Sequence, residues 1–386
     1  MPCVVLLIVK QTTQLIQRNS RNKPFYSVKQ IFQENWEDYL ENNKLRNIEK
    51  QEVEKMLSCK NIKRGCFLYF CMACIRYVLI TFGCNSRLCS CCGKRYSDKW
   101  ADSLIKKIMP KTEHKHLVFS VPDILWWTIK NNRNLQKVLM DVAAKTIKIC
   151  FCKTLKKNLE IGIICVLHPF GRDLVFKPHV HVVVTNGGFT KDNQFVKLKY
   201  ISYDLLHKKW QYYLLLELKK YISKKIIDSC FNKYPNGFAA YVKPEVIYSS
   251  RHLVKYIGRY LRHPAIANSR IIFYDKRVVK FYYLDHKTKE RIVCEMKIFD
   301  FISAIVQHIP NKNFKMIRYY GLYSRKGKKK VRIICKQSSL RQQVLFKSTE
   351  KEVFCCPCCG EKMKFVAYFK KPPDNIEKMV LAGSFN

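Results

Sequence analysis

Two hydrophobic periods alternate along the middle of the chain, and they predict a mixture of strands and helices. Short apolar runs bounded by Pro or Gly are typical of strands, and they occur at 116–121, 161–167, 180–185, 238–242, 271–274, 278–284 and 292–296. Longer segments with a helical period predict helices over 135–159, 203–227, 246–261 and 299–308. This mixture predicts an α+β or α/β domain.

Composition divides the chain into three blocks. Residues 1–108 contain paired cysteines and some helical pattern, and residues 109–310 contain the mixture of strands and helices. Residues 311–386 are basic, lose periodicity and end in a second cysteine motif. We therefore expect an N-terminal helical and zinc-binding domain, a central domain and a basic C-terminal region.

The charge of the chain points to a polyanionic partner. Its 386 residues include 72 Lys and Arg against 29 Asp and Glu, which gives a formal net charge of +43. Nucleic acid is the first candidate partner, and an anionic membrane is the alternative. No stretch of 18 apolar residues exists, and the opening apolar run at 3–9 is too short for an anchor or an export signal. We expect a cytoplasmic protein that does not span a membrane.

Two Cys-x-x-Cys pairs give the strongest chemical signal of the first block. The pairs, separated by 14 residues, are Cys71 with Cys74 and Cys89 with Cys92. Each pair brings two thiolates to one tetrahedral ion, so the spacing predicts a four-sulfur zinc site in a reducing compartment. Cys84 and Cys91 offer alternative ligands, so the ligand set stays open. The competing interpretation is that these are buried reduced thiols that act as small apolar residues.

A third Cys-x-x-Cys motif lies near the end of the chain. Cys356 and Cys359 are followed by Gly360, which repeats the form of the second pair. The motif has no second pair nearby, so it predicts at most half of a zinc site that is completed from elsewhere in the chain.

The segment KPHVHVVV predicts a second kind of metal site. In a strand, His179 and His181 point to the same face about 7 Å apart, while the alternating valines bury the opposite face. Two imidazoles can hold a divalent ion and leave positions open for a phosphate. His168, at the end of the preceding predicted strand, is the candidate third ligand. The competing interpretation is a coincidental His-x-His on a half-exposed strand.

Two tyrosines add a possible nucleophile. Tyr256 and Tyr260 are four residues apart on a predicted helix and therefore share a face. A tyrosine hydroxyl can attack a phosphodiester when a metal neutralises the phosphate, and the product is a covalent phosphotyrosine. In a chain with 22 tyrosines, the competing interpretation is a chance pair of core or groove aromatics.

Several of these features follow one another in a fixed order. The cysteine pairs are followed by HLVFSVP, LHPFGRDLVFKPHVHVVVTNGG, YIGRYLRHPAIANSRI and IPNKNFKMIRYYGLYSR. This order resembles that of the two-tyrosine HUH transposases of insertion-sequence elements, the insertion-sequence ninety-one group. The resemblance covers roughly residues 30–330. Each motif is modest, and their order and number together are specific.

The resemblance implies a rolling-circle transposase with an N-terminal zinc-binding domain. It also implies an HUH domain with a ferredoxin-like antiparallel sheet flanked by helices, so the fold class we expect is α+β. In that family the HUH histidines bind Mg or Mn, which carries over to His179 and His181, and the nucleophiles carry over to Tyr256 and Tyr260. The role of His168 as a third ligand is our inference. The cysteines of this chain that match the zinc domain of the family are Cys71, Cys74, Cys84, Cys89 and Cys92.

Basic and aromatic residues predict a surface for single-stranded DNA. Basic groups contact phosphates, and aromatic rings stack on unpaired bases. Around the tyrosines the candidates are Arg251, Arg259 and Arg262. In the basic stretch after residue 311 they are Arg318, Tyr319, Tyr320, Lys328, Lys329 and Lys330. The competing interpretation of the basic stretch is a solvated face with core aromatics.

The sequence therefore favours a transposase that cleaves and rejoins single-stranded DNA through a 5′-phosphotyrosine. It would use Zn in a structural role and Mg or Mn in catalysis, and it would act near the bacterial nucleoid. Because no helicase motif is present, we expect unwinding to come either from host replication or helicase factors or from DNA supercoiling. Two alternatives remain open: a plasmid replication initiator or relaxase with the same chemistry, and a non-catalytic zinc-dependent DNA-binding protein.

Overall fold

The computed structural model describes residues 26–93, 95–96, 104, 112–247, 264–285, 288–327, 331 and 354–382. The chain divides into two compact units, each assembled from separate segments. The cysteine unit draws on Met1–Tyr96, His263–Ile309 and Gln343–Asn386. The histidine unit draws on Ser97–Arg262 and Pro310–Gln342.

The described residues contain both helices and strands, in runs of one to four. The helices are Val28–Asn42 (α1), Asn47–Leu57 (α2), Trp126–Asn131 (α3), Leu135–Leu155 (α4), Tyr203–Leu218 (α5), Lys224–Lys233 (α6), Ile298–Gln307 (α7) and Ile376–Ala382 (α8). The strands are Cys66–Cys71 (β1), Arg76–Thr81 (β2), His114–Ser120 (β3), Gly162–Phe170 (β4), Phe176–Thr185 (β5), Gly187–Phe189 (β6), Phe195–Lys197 (β7), Ala240–Val242 (β8), Ile271–Tyr274 (β9), Val278–Leu284 (β10), Arg291–Lys297 (β11), Ile317–Gly321 (β12) and Lys364–Phe369 (β13).

The histidine unit is built on a five-stranded sheet. Its strand order is β12-β4-β5-β3-β8, and every neighbouring pair is antiparallel. Helices α4 and α5 pack on one face, where Leu139, Ile147 and Trp210 meet the buried residues of the strands. The Trp210 indole N–H donates to the backbone carbonyl of Ser120 at 2.9 Å, which ties α5 to the end of β3. The α+β class and the antiparallel sheet flanked by helices are therefore confirmed.

Most predicted elements of this unit are present, and one long helix is divided. The structure has α5 and α6 where the pattern predicts a single helix over 203–227. The division occurs because the side chain of Ser223 accepts a hydrogen bond from the N–H of Ile226 and starts a new helix. The predicted helix at 246–261 falls mostly outside the described residues. Near its start, Ile247 forms a β-bridge with His114, so the helix does not begin at 246.

The cysteine unit contains two three-stranded sheets. The β9–β11 meander is confirmed, and α7 follows it directly. In the other sheet β1 lies between β2 and β13, so the end of the chain completes a sheet that begins at residue 66. The predicted boundaries 1–108, 109–310 and 311–386 stay a prediction. Each compact unit combines segments from different predicted domains, because strands distant in sequence, such as β1 and β13, pair with each other.

Within the described part of the chain, no helix is both long enough and apolar enough to cross a membrane.

Candidate functional site

Three histidines lie together in the middle of the five-stranded sheet. His179 of β5 pairs directly with His168 of β4, and His181 lies two residues further along β5. One ring nitrogen from each of the three lies within 4.8 Å of the others. Imidazole is a common ligand of divalent transition-metal ions, so this set of nitrogens can hold one such ion. The predicted neighbourhood of His168, His179 and His181 is therefore present.

The alternation of the two strands explains this cluster. Val180, Val182 and Val184 of β5 are fully buried in the core beneath the helices, so the intervening histidines face the other side of the sheet. In β4, Leu167 enters the same core, and His168 therefore projects with the other two histidines. The β4–β5 register shifts directly after His168, because the pairing resumes at Phe170.

Hydrogen bonding fixes the tautomer of one candidate ligand. The Nδ1 of His179 lies 2.7 Å from the backbone carbonyl oxygen of Lys177. A carbonyl oxygen only accepts, so Nδ1 carries the proton and donates. In the neutral ring the lone pair is then on Nε2. A backbone partner of this kind orients a metal-ligating imidazole and favours one nitrogen as the ligand.

A fourth histidine, which the sequence reasoning missed, contacts this cluster. His116 of β3 is 2% exposed, and its Nε2 lies 2.9 Å from Nδ1 of His181. Burial, with a smaller contribution from the charge of Lys243, lowers the pKa of His116 to about 3. Burial also holds the pKa of His181 well below its ordinary value, with smaller contributions from the neighbouring imidazoles and Lys243. Both rings are therefore neutral at physiological pH, which is the form that binds metals.

A signal for His116 was present in the sequence. In HLVFSV, Leu117 and Phe119 alternate into the core, so His116 must lie on the opposite face of β3. That face is shared with His181, because β3 pairs with β5. The sequence alone did not show that β3 and β5 are neighbours, and without this pairing His116 could not be assigned to the cluster.

The predicted nucleophiles and their flanking cations fall outside the described residues. These are Tyr256 and Tyr260 with Arg251, Arg259 and Arg262, and the lysines Lys328, Lys329 and Lys330 also fall outside. The structure therefore leaves their positions relative to the histidines as a prediction.

The three predicted DNA contacts on β12 are placed, and they pack within the histidine unit. Arg318 and Tyr320 pair with residues of β4 that face the helices, so they lie on the opposite face of the sheet from the histidine cluster. The hydroxyl of Tyr320 donates to the Asp141 carboxylate at 2.7 Å, and Arg318 lies 3.5 Å from the same group. Burial, first of all, raises the pKa of Tyr320. Tyr319 packs on the other face against a smaller cluster around Ile164. Their role in DNA binding stays a prediction.

A first cysteine cluster forms in the cysteine unit. Its four buried members are Cys59, Cys84, Cys89 and Cys92. The sulfur of Cys59 lies 3.7 Å from that of Cys92 and 3.6 Å from that of Cys89. Hydrogen bonds from the Cys84 and Cys89 thiols lower the pKa of Cys59 to about 6. Cys59, two residues after the end of α2, was not among the predicted ligands.

The spacing of the sulfurs fits a tetrahedral zinc ion. Zn–S bonds of about 2.3 Å place the sulfurs of a tetrahedron about 3.8 Å apart. A disulfide would need a sulfur–sulfur distance of about 2.05 Å, and all four cysteines are free thiols. The donor set is therefore suited to structural zinc.

The predicted pairing of the two Cys-x-x-Cys motifs is corrected by the structure. Cys71 and Cys74 do not join Cys89 and Cys92; they form a second cluster with Cys356 and Cys359. The reason is that β1 and its following turn lie beside β13, whereas Cys89 and Cys92 lie near the end of α2. Spacing along the sequence could not distinguish the two arrangements, because a tetrahedral site accepts any two such turns.

Two segments of the chain match known protein families. Residues 162–330, which include the three clustered histidines, match the family described as "Putative transposase". Residues 31–121, which include the first cysteine cluster, match the family described as "Transposase zinc-binding domain". No solved structure matches the chain significantly.

Two curated relatives extend over most of the chain. The transposase for insertion sequence element IS801 of Pseudomonas savastanoi pv. phaseolicola is 32% identical over 313 residues, which cover 76% of this chain and 75% of the relative. The "Putative transposase y4qJ" of Sinorhizobium fredii is 24% identical over 316 residues, which cover 76% of this chain and 79% of the relative. The chain therefore belongs to the IS91-type family of insertion-sequence transposases that carry an N-terminal zinc-binding domain.

Proposed function

We propose that this transposase cleaves and rejoins single-stranded DNA through a 5′-phosphotyrosine during rolling-circle transposition. The observation that carries the proposal is the cluster of three imidazoles on one sheet face, with ligand nitrogens within 4.8 Å of one another. A cluster with three protein ligands resembles a catalytic site more than a structural one, because it leaves coordination positions for a substrate.

His168, His179 and His181 would hold the divalent ion, Mg²⁺ or Mn²⁺. When bound, the ion would neutralise charge on the scissile phosphate. Imidazoles suit Mn²⁺ better than Mg²⁺, which prefers oxygen ligands. His116 positions His181 through the 2.9 Å contact between their ring nitrogens.

Tyr256 or Tyr260 would be the nucleophile of the cleavage step. The phenolic oxygen loses its proton and forms a bond to phosphorus, while the bond from phosphorus to the 3′ oxygen breaks. The 3′ oxygen takes up a proton and becomes a free hydroxyl. The 5′-phosphotyrosine is itself a phosphodiester, which links the tyrosine oxygen to the 5′ end of the DNA. A later attack by a 3′-hydroxyl exchanges this linkage for a DNA phosphodiester and releases the tyrosine, so rejoining needs no external energy source. The second tyrosine would serve the second strand transfer.

Cys59, Cys84, Cys89 and Cys92 would hold structural zinc in the zinc-binding domain, and this domain would help to recognise an element end. The net charge of +43 supports a DNA partner, and salt should weaken binding steeply. Acting on chromosomal DNA would place the protein in the bacterial cytoplasm at the nucleoid, with host replication or helicase factors opening the duplex.

The test is the formation of a covalent adduct. The full chain is incubated with labelled single-stranded element ends and Mn²⁺ or Mg²⁺, and the products are separated by denaturing electrophoresis. A protein-linked band is expected, and it should disappear in the Tyr256→Phe/Tyr260→Phe double variant. Tyr212→Phe is the matched control, because Tyr212 is a half-exposed tyrosine of α5 on the helical side.

Two results would contradict the proposal. An adduct that persists in the double tyrosine variant would exclude these nucleophiles. Binding of element ends without any adduct, in protein that contains zinc and is folded by circular dichroism, would favour the non-catalytic alternative. A preference for a plasmid origin over element ends would favour the replication initiator or relaxase.

A further inference from the structure

The second cysteine cluster brings together an early and a late segment of the chain. Its members are Cys71, Cys74, Cys356 and Cys359, and one sulfur from each lies within 4.8 Å of the others. The sulfur of Cys71 lies 3.6 Å from that of Cys359, and the sulfur of Cys74 lies 3.8 Å from that of Cys356. We infer that these four thiolates bind a second structural zinc ion, which fastens the C-terminal segment 354–369 to the β1–β2 hairpin.

The sulfur spacing favours an ion over the alternatives. Four thiolates around one zinc ion have sulfurs about 3.8 Å apart, which is close to the 3.6 Å and 3.8 Å found here. A disulfide is excluded in this state, because its sulfurs would be about 2.05 Å apart. The ion binds thiolates, so four thiols lose their protons on loading and the protons pass to solvent.

Both halves of the site are tight turns. Cys71 ends β1 and Cys74 lies in the turn that leads to β2. On the C-terminal side, the N–H of Gly360 donates to the carbonyl of Cys356 at 2.8 Å. Gly360 has φ +77°, a left-handed conformation that glycine adopts without strain. Each turn therefore presents two sulfurs on the same side, as in zinc-binding turns.

The C-terminal segment adds few fully buried side chains to this sheet. Of its described residues, Cys356 and Met363 are buried beside Cys71, Val78 and Ile80, and Ala367 and Phe369 pack partly buried in a neighbouring cluster. On β13 itself, Phe365 and Tyr368 are more than half exposed. A small sheet with little buried apolar area commonly needs a metal or another cross-link for stability. A zinc ion at this site would cross-link the β1–β2 turn to the C-terminal segment.

Half of the site lies outside the two family matches. The two family matches end at residues 121 and 330, so Cys356 and Cys359 lie beyond both. The zinc-binding domain match contains Cys71 and Cys74 without their partners. The inference therefore adds a second ion and a C-terminal half-site to the zinc-binding domain.

The segment also contains its own control. Cys358 lies between Cys356 and Cys359 and is exposed, and its sulfur accepts a hydrogen bond from Arg76 at 3.1 Å instead of joining the cluster. A Cys358→Ser variant removes one thiol from the same turn without removing a proposed ligand.

The first experiment measures zinc per chain in full-length protein by elemental analysis. Wild type is expected to contain two zinc ions, Cys356→Ser/Cys359→Ser one, and Cys358→Ser two. Hydrogen exchange should become faster in β13 of the double variant while the β9–β11 meander keeps its protection. A wild-type content of one ion that Cys356→Ser/Cys359→Ser does not lower would overturn the inference.

The second experiment uses wild-type protein alone, so it does not depend on the folding of a variant. Native protein is treated with a thiol-alkylating reagent, and modified residues are mapped by mass spectrometry. Cys358 is expected to react at once, whereas Cys356 and the exposed Cys359 react only after a chelator removes zinc. Immediate alkylation of Cys359 in zinc-loaded protein would overturn the inference.

Discussion

The cysteine clusters and the histidine cluster differ in how completely they surround an ion. Each cysteine cluster offers four sulfurs, which fill a tetrahedral coordination sphere. The histidine cluster offers three half-buried imidazoles on a sheet face. Closed sites stabilise a fold, and open sites leave room for a substrate. Under the proposed function, the chain separates metal-dependent folding in the cysteine unit from metal-dependent chemistry in the histidine unit.

The largest expected effect comes from opening the first cysteine cluster. In Cys89→Ser/Cys92→Ser we expect loss of one zinc ion and unfolding of the cysteine unit. Binding of structural zinc contributes on the order of 10 kcal/mol, which is comparable with the whole stability of a domain. Elemental analysis and circular dichroism measure the result, and Cys91→Ser is the control because its sulfur is outside the cluster. A folded double variant that retains all its zinc would show that this cluster does not bind structural zinc.

The next largest effect separates chemistry from folding. His181→Ala should lower the rate of adduct formation by about 100-fold or more, because a ligand of the open site is lost. Zinc content should not change. His207→Ala is the control, since His207 of α5 contacts the carbonyl of Ala240 rather than the cluster. Rates of adduct formation and zinc content are measured on the same preparations. Normal adduct formation in His181→Ala would show that the cluster is not the catalytic site.

A smaller effect is expected for the histidine that touches the cluster from β3. His116→Ala removes the partner of His181 Nδ1, and outer contacts of this kind cost about 10–100-fold in metal affinity or activity. We expect the Mn²⁺ concentration for half-maximal adduct formation to rise, with DNA affinity unchanged. A Mn²⁺ titration and a binding assay measure the two quantities. An unchanged Mn²⁺ dependence would make His116 a packing residue only.

The smallest effect tests the residues on β12. Tyr320→Phe removes the hydrogen bond to Asp141 and should lower the free energy of unfolding by about 1 kcal/mol. Affinity for single-stranded DNA should not change, because the ring packs beside the helices. Denaturant unfolding and a DNA titration give the two values. A large loss of DNA affinity at unchanged stability would instead support the sequence-based prediction that Tyr320 stacks on unpaired bases.

The histidine site could be predicted to the extent that it depends on alternation within single strands. The His179-Val180-His181 pattern fixes which side chains share a face, and this is a local property of a strand. His116 was missed because its position depends on the pairing of β3 with β5, which brings together residues 65 apart in sequence. Local patterns do not specify such pairings.

The cysteine sites show the same limit more strongly. The sequence identified the correct turns, yet it assigned Cys71 and Cys74 to the wrong partners. The correct partner, Cys359, is 288 residues from Cys71, and no local signal links the two. Similarly, the division of the predicted helix over 203–227 depends on a single cap at Ser223, which the hydrophobic period of the segment concealed.

The position of β13 has a consequence for synthesis of the protein. Strand β1 has one neighbour in β2, and its other edge receives β13 only when residues 364–369 have left the ribosome. By then all the strands that the structure describes in the histidine unit have been translated. A product that stops early retains an uncovered β1 edge, a surface prone to aggregation, so truncated copies are expected to be degraded before they can compete for DNA.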